Sequence, residues 1–280
     1  MKKILITGKG SYIGETFKNY ILNNYCDYSV DTLDMLDENW AQKDFSGYDA
    51  IFHVAGIAHI KETKENASLY YRVNCDLAYE VAKKAKDEKV DQFVFLSSMS
   101  VYGKDTGIIT LNTIPAPVSN YGKSKLMAEE KINALSSPDF KVAVLRPPMV
   151  YGKDCKGNFQ LLKKLAQILP VFPRVNNKRS MIYINNLCEF VKLIIENEKS
   201  GLFFPQNREY VKTLDIVKEI AAKNGKNIYF SFLFGFGVLI MMPFVSKIQK
   251  AFGTLIYEID DEWNFSYCKV DTKDSLGQSL

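Results

Sequence analysis

Tyr121 and Lys125 are the two residues whose types and spacing are best suited to chemistry. A separation of four positions places them side by side on one face of a helix. A tyrosine hydroxyl, with a pKa near ~10, is mostly protonated at neutral pH, and a neighbouring ammonium group favours its anion. The pair could therefore exchange a proton with a substrate. Because Tyr-x-x-x-Lys also occurs by chance in solvated helix turns, the surrounding elements must decide its role.

A glycine-rich turn follows the first predicted strand. Ile4-Leu5-Ile6 is a short apolar run, typical of a buried parallel strand, and a helical pattern begins at Glu15 and continues to Asn23. Between them, glycines let the backbone approach a pyrophosphate, and the helix N-terminus offers free amide groups to it. The turn is therefore predicted to bind a dinucleotide through Gly8, Gly10, Ser11, Tyr12, Ile13 and Gly14.

An acidic residue, Asp34, ends the second predicted strand, Tyr28 to Leu33. A carboxylate at this strand end accepts hydrogen bonds from the adenosine ribose and repels a 2′-phosphate, which favours NAD over NADP. Asp31 and Asp37 flank it and are alternatives for the same role, and any of the three could instead be a solvated loop carboxylate.

Apolar runs alternate with helical patterns through the first half of the chain. Further strands are predicted at 49–56, 93–96 and 141–145, with a helix over 68–86. This alternation predicts an α/β fold with a doubly wound parallel sheet. Ligands of such sheets bind at the carboxyl ends of the strands, where Ala55, Gly56, Ser97 and Ser98 fall. His53 is interpreted as a core histidine rather than a catalyst.

Composition excludes several classes of function. The 280 residues carry 36 basic and 32 acidic side chains without long blocks of one sign, which does not indicate a nucleic-acid partner. Five widely separated cysteines without a Cys-x-x-Cys pair, and only two histidines, predict neither a metal site nor a disulfide scaffold. The apolar run at the N-terminus is too short for a signal peptide, so we expect a cytoplasmic protein.

Taken together, several ordered motifs resemble the extended short-chain dehydrogenase/reductase superfamily, specifically its nucleotide-sugar epimerase/dehydratase branch. The resemblance covers most of the first 210 residues. Its motifs are the turn from Thr7 to Gly14, His53-Val54-Ala55-Gly56, Ser97-Ser98 before Val101-Tyr102-Gly103, Tyr121-x-x-x-Lys125, and Arg146-Pro147-Pro148-Met149-Val150-Tyr151-Gly152. Several motifs in order are far more specific than any one of them.

The resemblance implies a role for each matching residue. Tyr121 is the acid/base, Lys125 lowers its pKa and contacts the nicotinamide ribose, and Ser98 hydrogen-bonds the reacting sugar oxygen. With NAD as the cofactor, the residues expected to bind it are Gly8, Gly10, Ser11, Tyr12, Ile13, Gly14, Asp34, Ala55, Gly56, Asn74, Tyr121, Lys125 and Pro147. One departure from the family's T-G-x-x-G-x-x-G is Ser11 at the middle glycine, which crowds the pyrophosphate but can donate a hydrogen bond.

The downstream half is expected to fold over the substrate. In the resembled branch this region covers the nucleotide, which implies diphosphate and uracil contacts by Asn158, Phe172 and Arg179, besides Ser98 and Tyr121 at the sugar. A guanidinium such as that of Arg179 forks onto phosphate oxygens, although Arg174 and Lys178 could do the same. We expect a Rossmann domain over 1–151 plus about 180–206, and a smaller interleaved nucleotide-sugar lobe over 152–179 plus about 207–280.

The resemblance implies hydride transfer at C4 of a nucleotide-linked, UDP-carried hexose in surface polysaccharide synthesis. A 4-keto-sugar reductase is slightly favoured over a 4-epimerase. A 4,6-dehydratase is disfavoured, because Met99-Ser100 stand where that branch has an Asp-Glu pair. A catalytically silent dinucleotide-binding regulatory protein is the alternative from another class. A homodimer is expected from the resemblance only.

Residues 229–245 form a stretch of 17 residues without a charge, interrupted by Gly235, Gly237 and Pro243. Four interpretations compete: the core of the substrate lobe, which is favoured, then a peripheral membrane contact, a dimer surface and a true membrane span. Lys247 and Lys250, just beyond the stretch, would suit anionic lipid. A peripheral contact would place the protein at the inner face of the membrane.

Overall fold

The structure is a computed structural model that describes residues 1–58, 60–258 and 266–279, leaving out the side chains of Asn158 and Lys247. Its strands are β1 (Lys2–Thr7), β2 (Tyr28–Leu33), β3 (Ala50–His53), β4 (Gln92–Leu96), β5 (Gly107–Ile109), β6 (Lys141–Leu145), β7 (Met149–Tyr151), β8 (Val171–Pro173), β9 (Met181–Tyr183), β10 (Gly201–Phe203), β11 (Tyr229–Ser231) and β12 (Leu255–Tyr257).

Helices alternate with these strands through most of the chain. They are α1 (Tyr12–Asn24), α2 (Ala67–Tyr71), α3 (Leu77–Asp87), α4 (Asn120–Asn133), α5 (Asn158–Ile168), α6 (Ile184–Glu196), α7 (Thr213–Lys223), α8 (Phe232–Met241), α9 (Ser246–Phe252) and α10 (Thr272–Gln278). A π-helical turn, Arg72–Asp76, joins α2 to α3, so the helix predicted over 68–86 is present but interrupted. Short 3₁₀ turns occupy Trp40–Gln42, Met99–Tyr102 and Met242–Phe244.

The central sheet has six parallel strands in the order β10-β6-β4-β3-β1-β2. Both of its faces are covered. On one face, Ala82 of α3 and Ala128 of α4 belong to the same buried cluster as Phe93, and on the other the Phe17 ring of α1 packs edge-on against Phe52, with 5.1 Å between centroids. Burial on both faces explains the continuous apolar runs, and the predicted doubly wound parallel sheet is confirmed.

Two details of the sheet differ from the sequence-based expectations. The start of the segment 180–206, which the sequence assigns to the Rossmann domain, does not join the central sheet, because β9 pairs with β7 in a separate two-stranded sheet. Instead β10, which no pattern indicated, forms the edge of the central sheet beside β6. The apolar helix after β9 is present as α6.

The chain divides into two compact units, each assembled from three segments. The first contains Met1–Gly103, Pro115–Pro147 and Leu187–Pro205, and the second contains Lys104–Ile114, Pro148–Asn186 and Gln206–Leu280. The first unit holds the six-stranded sheet, and the second holds three two-stranded sheets, β11-β8, β12-β5 and β7-β9. The assignment of one unit to the cofactor and the other to a nucleotide sugar stays a prediction.

The uncharged stretch 229–245 forms β11, α8 and the 3₁₀ turn after α8. Its favoured interpretation, the core of a substrate lobe, is wrong, because most of its large side chains are exposed to solvent. Within the described ranges of the chain, no helix has both the length and the apolar composition that a membrane crossing requires.

Candidate active site

The turn after β1 has the backbone geometry that its glycines permit. Gly8 and Gly10 have positive φ angles of 127° and 76°, a region that L side chains rarely adopt. A Cβ on Gly8 would lie 2.8 Å from the backbone nitrogen of Ala55, so glycine is required where the turn passes the end of β3. The turn leads directly into the N-terminus of α1, and a helix N-terminus favours an anion.

Ser11, the departure from the family's glycine pattern, begins α1 as its N-cap. The Ser11 Oγ accepts a hydrogen bond from the Gly14 nitrogen at 3.2 Å, which satisfies one of the unpaired amides at the helix start. The hydroxyl proton is still available to a pyrophosphate. The Glu15 carboxylate accepts from the Gly10 nitrogen at 2.8 Å, so a diphosphate binding at that amide would displace an exposed carboxylate.

Asp34 lies directly after β2 and beside this turn, since the Gly8 and Lys9 nitrogens both donate to the Leu33 carbonyl. Its Oδ1 accepts from the Leu36 nitrogen at 2.9 Å. Of the two alternatives, Asp31 accepts from the Tyr48 hydroxyl, and Asp37 accepts from the Asn39 nitrogen in its own turn. The geometry therefore favours Asp34 over its neighbours as the carboxylate that meets an adenosine ribose.

Replacing Asp34 with alanine is expected to weaken NAD binding by about tenfold or more, the effect of losing charged hydrogen bonds worth roughly 1.5–3 kcal/mol. The same change should strengthen NADP binding, because the carboxylate no longer repels the 2′-phosphate. Titration of both cofactors by fluorescence checks this. Asp37→Ala is the matched control and should leave the NAD to NADP ratio unchanged; an unaltered ratio in Asp34→Ala would refute the role.

Asn74, in the π-helical turn, fixes the loop after β3. Its buried side chain accepts from the Ile57 nitrogen at 2.8 Å and donates to the Ile57 carbonyl and to Ser124 Oγ, each at 3.1 Å. A Cβ on Gly56 would lie 2.9 Å from the Asn74 Oδ1 and 3.3 Å from the Lys125 Nζ. Asn74 thus joins the end of β3 to α4 as a positioning residue, while its predicted proximity to NAD stays a prediction.

Helix α4 carries Tyr121 and Lys125 and is held at its N-terminus by two oxygen acceptors. Ser119 is the N-cap, and its Oγ accepts from the Gly122 nitrogen at 3.1 Å. The Glu62 carboxylate accepts from the Asn120 and Tyr121 nitrogens at 3.0 and 3.1 Å. A carboxylate at this end of a helix is stabilised by the helix dipole, so the loop that contains Glu62 fixes the start of the helix.

The structure brings Tyr121 and Ser98 together. The packing of α4 on the turn after β4 is close, since a Cβ on Gly122 would lie 2.6 Å from the Ser100 carbonyl oxygen. Burial raises the pKa of the Tyr121 phenol, and a hydrogen bond with Ser98 lowers it in part. The Ser98 Oγ also accepts from the Ser100 nitrogen at 3.1 Å. Two hydroxyl groups therefore meet at the carboxyl end of β4, where a substrate oxygen can bind.

Lys125 is buried on the same helix, and its Nζ donates to the Leu96 carbonyl at 2.8 Å. The ammonium also lies 4.7 Å from the centroid of the Phe95 ring. Burial lowers the pKa of Lys125 to about 8, and the charge of Glu129 raises it in part. An ammonium that is poorly solvated interacts strongly with a nearby anion. The predicted effect of Lys125 on the pKa of Tyr121 stays a prediction.

A buried ion pair lies one helical turn beyond Lys125, and the sequence-based prediction did not include it as a site feature. Glu129 accepts from the Arg146 Nε with both carboxylate oxygens at 3.1 Å, and Ser97 donates to the same carboxylate. Arg146 Nη1 donates to the Tyr102 hydroxyl at 2.8 Å. The four residues hold α4 against the ends of β4 and β6. The sequence signal that could have identified Glu129 is its i, i+4 spacing from Lys125.

Pro147 and His53, both in the first unit, make contacts that support the fold. The Pro147 carbonyl accepts from the Met99 nitrogen at 3.0 Å, beside Ser98. His53 is fully buried, its Nδ1 lies 2.8 Å from the Thr7 hydroxyl, and its ring stacks between Phe93 and Phe95. Burial lowers the pKa of His53 to about 3, and the Lys125 charge adds to the shift. His53 is therefore a neutral residue of the core, consistent with its interpretation.

The residues predicted to bind the nucleotide lie in the second unit. Asn158 begins α5. Phe172 is buried against the rings of Phe230 and Phe252, at 6.3 and 5.6 Å between centroids, so a uracil could stack on it only by displacing one of them. Arg179 donates from Nη1 to the Gly253 carbonyl at 3.0 Å, and its Nε has no hydrogen-bond partner within the described residues. Arg179 therefore retains a donor for an anion.

The sequence matches a known family over most of its length. The model of the NAD dependent epimerase/dehydratase family matches residues 4–204. This range contains the glycine turn, Ser98, Tyr121 and Lys125, which the structure places at the carboxyl side of one parallel sheet. The chain belongs to this family. The resemblance identified from the motifs is confirmed, and NAD, the predicted cofactor, is the cofactor of the family.

Two curated relatives are similar to this chain in sequence. A UDP-glucose 4-epimerase of Vibrio cholerae is 31% identical over 247 residues, which are 79% of this chain and 75% of the relative. An N-acetyl-alpha-D-glucosaminyl-diphospho-ditrans,octacis-undecaprenol 4-epimerase of Escherichia coli O157:H7 is 29% identical over 174 residues, which are 60% of this chain and 52% of the relative.

Solved structures of epimerases and reductases share the fold. The UDP-glucuronic acid 4-epimerase of Bacillus cereus, in complex with NAD, aligns with a TM-score of 0.77 at 21% identity, covering 99% of this chain and 94% of the other. A dTDP-4-dehydrorhamnose reductase of Clostridium acetobutylicum aligns with a TM-score of 0.76 at 19% identity, covering 99% and 98%. These likenesses show the fold, and the family model together with the curated relatives shows an enzyme of the NAD dependent epimerase/dehydratase family.

The residues of the first unit fit NAD. The glycine turn leads into the N-terminus of α1, which favours the negative charge of a diphosphate, and Asp34 offers a carboxylate for the ribose. The buried Lys125 lies within 3.3 Å of a Cβ that Gly56 lacks, so the absence of a side chain at Gly56 leaves room beside the ammonium. We found no cluster of three histidine, cysteine or acidic residues able to hold a metal ion in the part of the chain that the structure describes.

Proposed function

We propose that the protein catalyses hydride transfer at C4 of a UDP-linked hexose in surface polysaccharide synthesis. The observation that supports this most directly is the close packing of α4, which carries Tyr121, on the turn that contains Ser98. The buried ammonium of Lys125, on the same helix, donates to the Leu96 carbonyl at the end of β4. The cofactor turn of the same unit, with Asp34 at its side, adds to it. Each of these features belongs to the first unit and needs no assumption about the second.

Proton transfer at the C4 oxygen is the task of the side chains, and NAD, when bound, accepts or donates the hydride. Tyr121 takes the proton from the C4 hydroxyl when the sugar is oxidised and returns it when the ketone is reduced. Ser98 holds the same oxygen by a hydrogen bond. Burial raises the pKa of Tyr121, and we expect the Lys125 charge to favour the tyrosinate.

Two reactions share this chemistry. Reduction of a 4-keto sugar uses the hydride once, whereas 4-epimerisation removes it and returns it to the other face of the sugar. The motifs slightly favour a reductase, and the names of the two curated relatives favour an epimerase. A silent regulatory protein is disfavoured because Ser98, Tyr121 and Lys125 are all in place.

Sugar carriers of two kinds are compatible with a diphosphate contact by Arg179. A UDP carrier is the primary proposal, with Asn158 and Phe172 as the other predicted contacts. The relative from Escherichia coli is named for a sugar on a diphospho-undecaprenol, and the exposed apolar helix α8 favours testing such a lipid carrier too. A homodimer and a location at the inner face of the membrane stay predictions.

The test is incubation of the purified protein and NAD(H) with UDP-hexoses, UDP-N-acetylhexosamines and their 4-keto-6-deoxy derivatives. Net NADH consumption with a 4-keto sugar identifies a reductase, and an epimeric product without net cofactor change identifies an epimerase. If a polyprenyl-diphosphate sugar is turned over and no UDP-sugar is, the substrate carrier is a polyprenyl diphosphate and the proposed UDP carrier is wrong. If no sugar of either kind changes and no NADH is consumed, the proposed function is refuted.

A further inference from the structure

Helix α8 presents large apolar side chains to solvent instead of burying them. Leu233 and Phe244 are each 86% exposed. The exposed set, which we call the α8 surface, is Tyr229, Phe232, Leu233, Phe234, Phe236, Leu239, Ile240, Met241 and Phe244. Isolated exposed apolar residues are ordinary, but a contiguous group of this size marks an interaction surface.

Helix α8 is capped and packed against the protein, so the exposure of its apolar side chains does not come from a poorly packed helix. Ser231 is the N-cap of α8, and its Oγ accepts from the Phe234 nitrogen at 3.2 Å. Gly235 packs against the backbone of Arg174, where a Cβ would lie 2.3 Å from the Arg174 carbonyl oxygen, and Val238 is buried. The helix therefore packs on the rest of the second unit through Gly235 and Val238, and its large side chains point away from that contact.

Exposed apolar side chains cover more than half of the circumference of α8, at about 100° per residue. Phe232, Phe236 and Ile240 lie on one side of the helix, and Phe234 and Met241 lie on another. A second protein copy would cover a single stripe of a helix. A lipid phase surrounds an inserted helix from every side that the protein leaves open, so the width of the α8 surface favours lipid.

The sequence on either side of α8 carries positive charges. From residue 220 to residue 257 the sequence contains four lysines, Lys223, Lys226, Lys247 and Lys250, and no acidic residue. The guanidinium of Arg174 lies 5.3 Å from the centroid of the Phe232 ring, at the base of the helix. One acidic residue, Asp105, accepts from the Ser246 hydroxyl and lies 4.0 Å from the Lys250 Nζ. Cations beside an apolar helix suit anionic headgroups.

We propose that the α8 surface docks on an anionic lipid bilayer, with Leu233, Phe236 and Phe244 entering the boundary between headgroups and acyl chains. The charged ends of Lys250 and Arg174 lie at the level of the headgroups. The helix lies in the interface, because its ten residues are too few to span the hydrocarbon core. This inference depends on α8 and its charges, and it holds for any sugar substrate.

The experiment is co-sedimentation of the full-length protein with vesicles of phosphatidylcholine alone or of phosphatidylcholine mixed with phosphatidylglycerol. We expect binding to the anionic vesicles, weakened by salt, and little binding to the neutral ones. Leu233→Glu removes an inserted side chain and adds a repelled charge, so it should weaken binding by about tenfold or more. Binding unaffected by Leu233→Glu would overturn the proposal.

Ile114→Glu is the matched control, because Ile114 is 82% exposed and lies outside the α8 surface. It carries the same change of charge and should leave vesicle binding within about twofold of the unsubstituted protein. Both substitutions are at exposed positions, and thermal unfolding confirms that each variant is folded. Equal losses of binding in the two variants would show a general charge effect and would contradict docking through α8.

A second variant reports insertion directly. In Phe236→Trp the indole should shift its fluorescence to shorter wavelength on anionic vesicles and be quenched by brominated acyl chains, relative to the unsubstituted protein. Light scattering without lipid tests the rival occupant, a second copy of this chain. A dimer that Leu233→Glu dissociates, together with an absence of vesicle binding, would overturn the lipid proposal and assign the α8 surface to self-association.

Discussion

Replacing Tyr121 with phenylalanine is expected to lower kcat by about 10²–10⁴-fold, the usual contribution of a positioned acid or base. The ring remains and packs as before, but the proton acceptor for the C4 oxygen is lost. NAD binding should change little, because the contacts of the glycine turn and of Asp34 are intact. Turnover is measured with the sugar identified in the panel, and NAD affinity by titration of the same preparation.

Tyr79→Phe is the control for this substitution. Tyr79 lies on α3, where its ring is 5.9 Å from the Lys131 ammonium, and the loss of its hydroxyl should leave kcat and KM unchanged. Full activity in Tyr121→Phe would exclude Tyr121 as the acid/base. A loss of NAD binding in parallel with kcat would instead indicate that the hydroxyl supports the cofactor site as a whole.

The central sheet could be predicted from the sequence because its strands are buried on both faces. Ile4 to Ile6 and Phe93 to Leu96 are continuous apolar runs for that reason. The edge strand β10 has three residues, of which the first is exposed and the second is half-buried, so it leaves no such run. A strand that is buried on both faces can therefore be predicted from its apolar run, whereas a short, exposed edge strand cannot.

The candidate site was predictable where its chemistry follows from motif spacing. The order of the motifs already suggests that α4 packs on the turn that contains Ser98, as it does. Glu62 at the start of α4 was missed, because its contacts join residues that are 58 and 59 positions apart. Ser11 was recognised as a departure from the glycine pattern, but its role as the N-cap of α1 required the backbone geometry.

The uncharged stretch 229–245 shows what composition alone leaves open. Apolar composition indicates that burying a segment away from water is favourable, but it does not indicate whether protein or lipid buries it. The structure shows that protein does not cover most of this stretch. Gly235 and Val238 make the contact with the rest of the second unit, and the large side chains remain exposed. The same sequence with a bulky residue at 235 could not pack this way.

Glu129→Gln is expected to lower the free energy of unfolding by about 3–5 kcal/mol, because it leaves Arg146 as an uncompensated buried charge. Both carboxylate oxygens of Glu129 accept from Arg146, and Ser97 donates to the same group. Chemical denaturation measures the change. Glu130→Gln is the control, since Glu130 is the adjacent residue on α4 and is exposed; it should alter the unfolding free energy by less than about 0.5 kcal/mol.

The same substitution should also change the pH dependence of turnover. Glu129 raises the pKa of Lys125, which burial lowers to about 8, so its loss moves that pKa lower still. Lys125 then becomes neutral at a lower pH, and the decline of kcat on the alkaline side should begin at lower pH in Glu129→Gln.

Glu129→Asp retains the charge and should restore part of the shift, which separates an electrostatic effect on Lys125 from a loss of folded protein. An unshifted profile in Glu129→Gln, at a pH where the variant is folded, would mean that the ion pair stabilises α4 without tuning the ammonium that it lies beside.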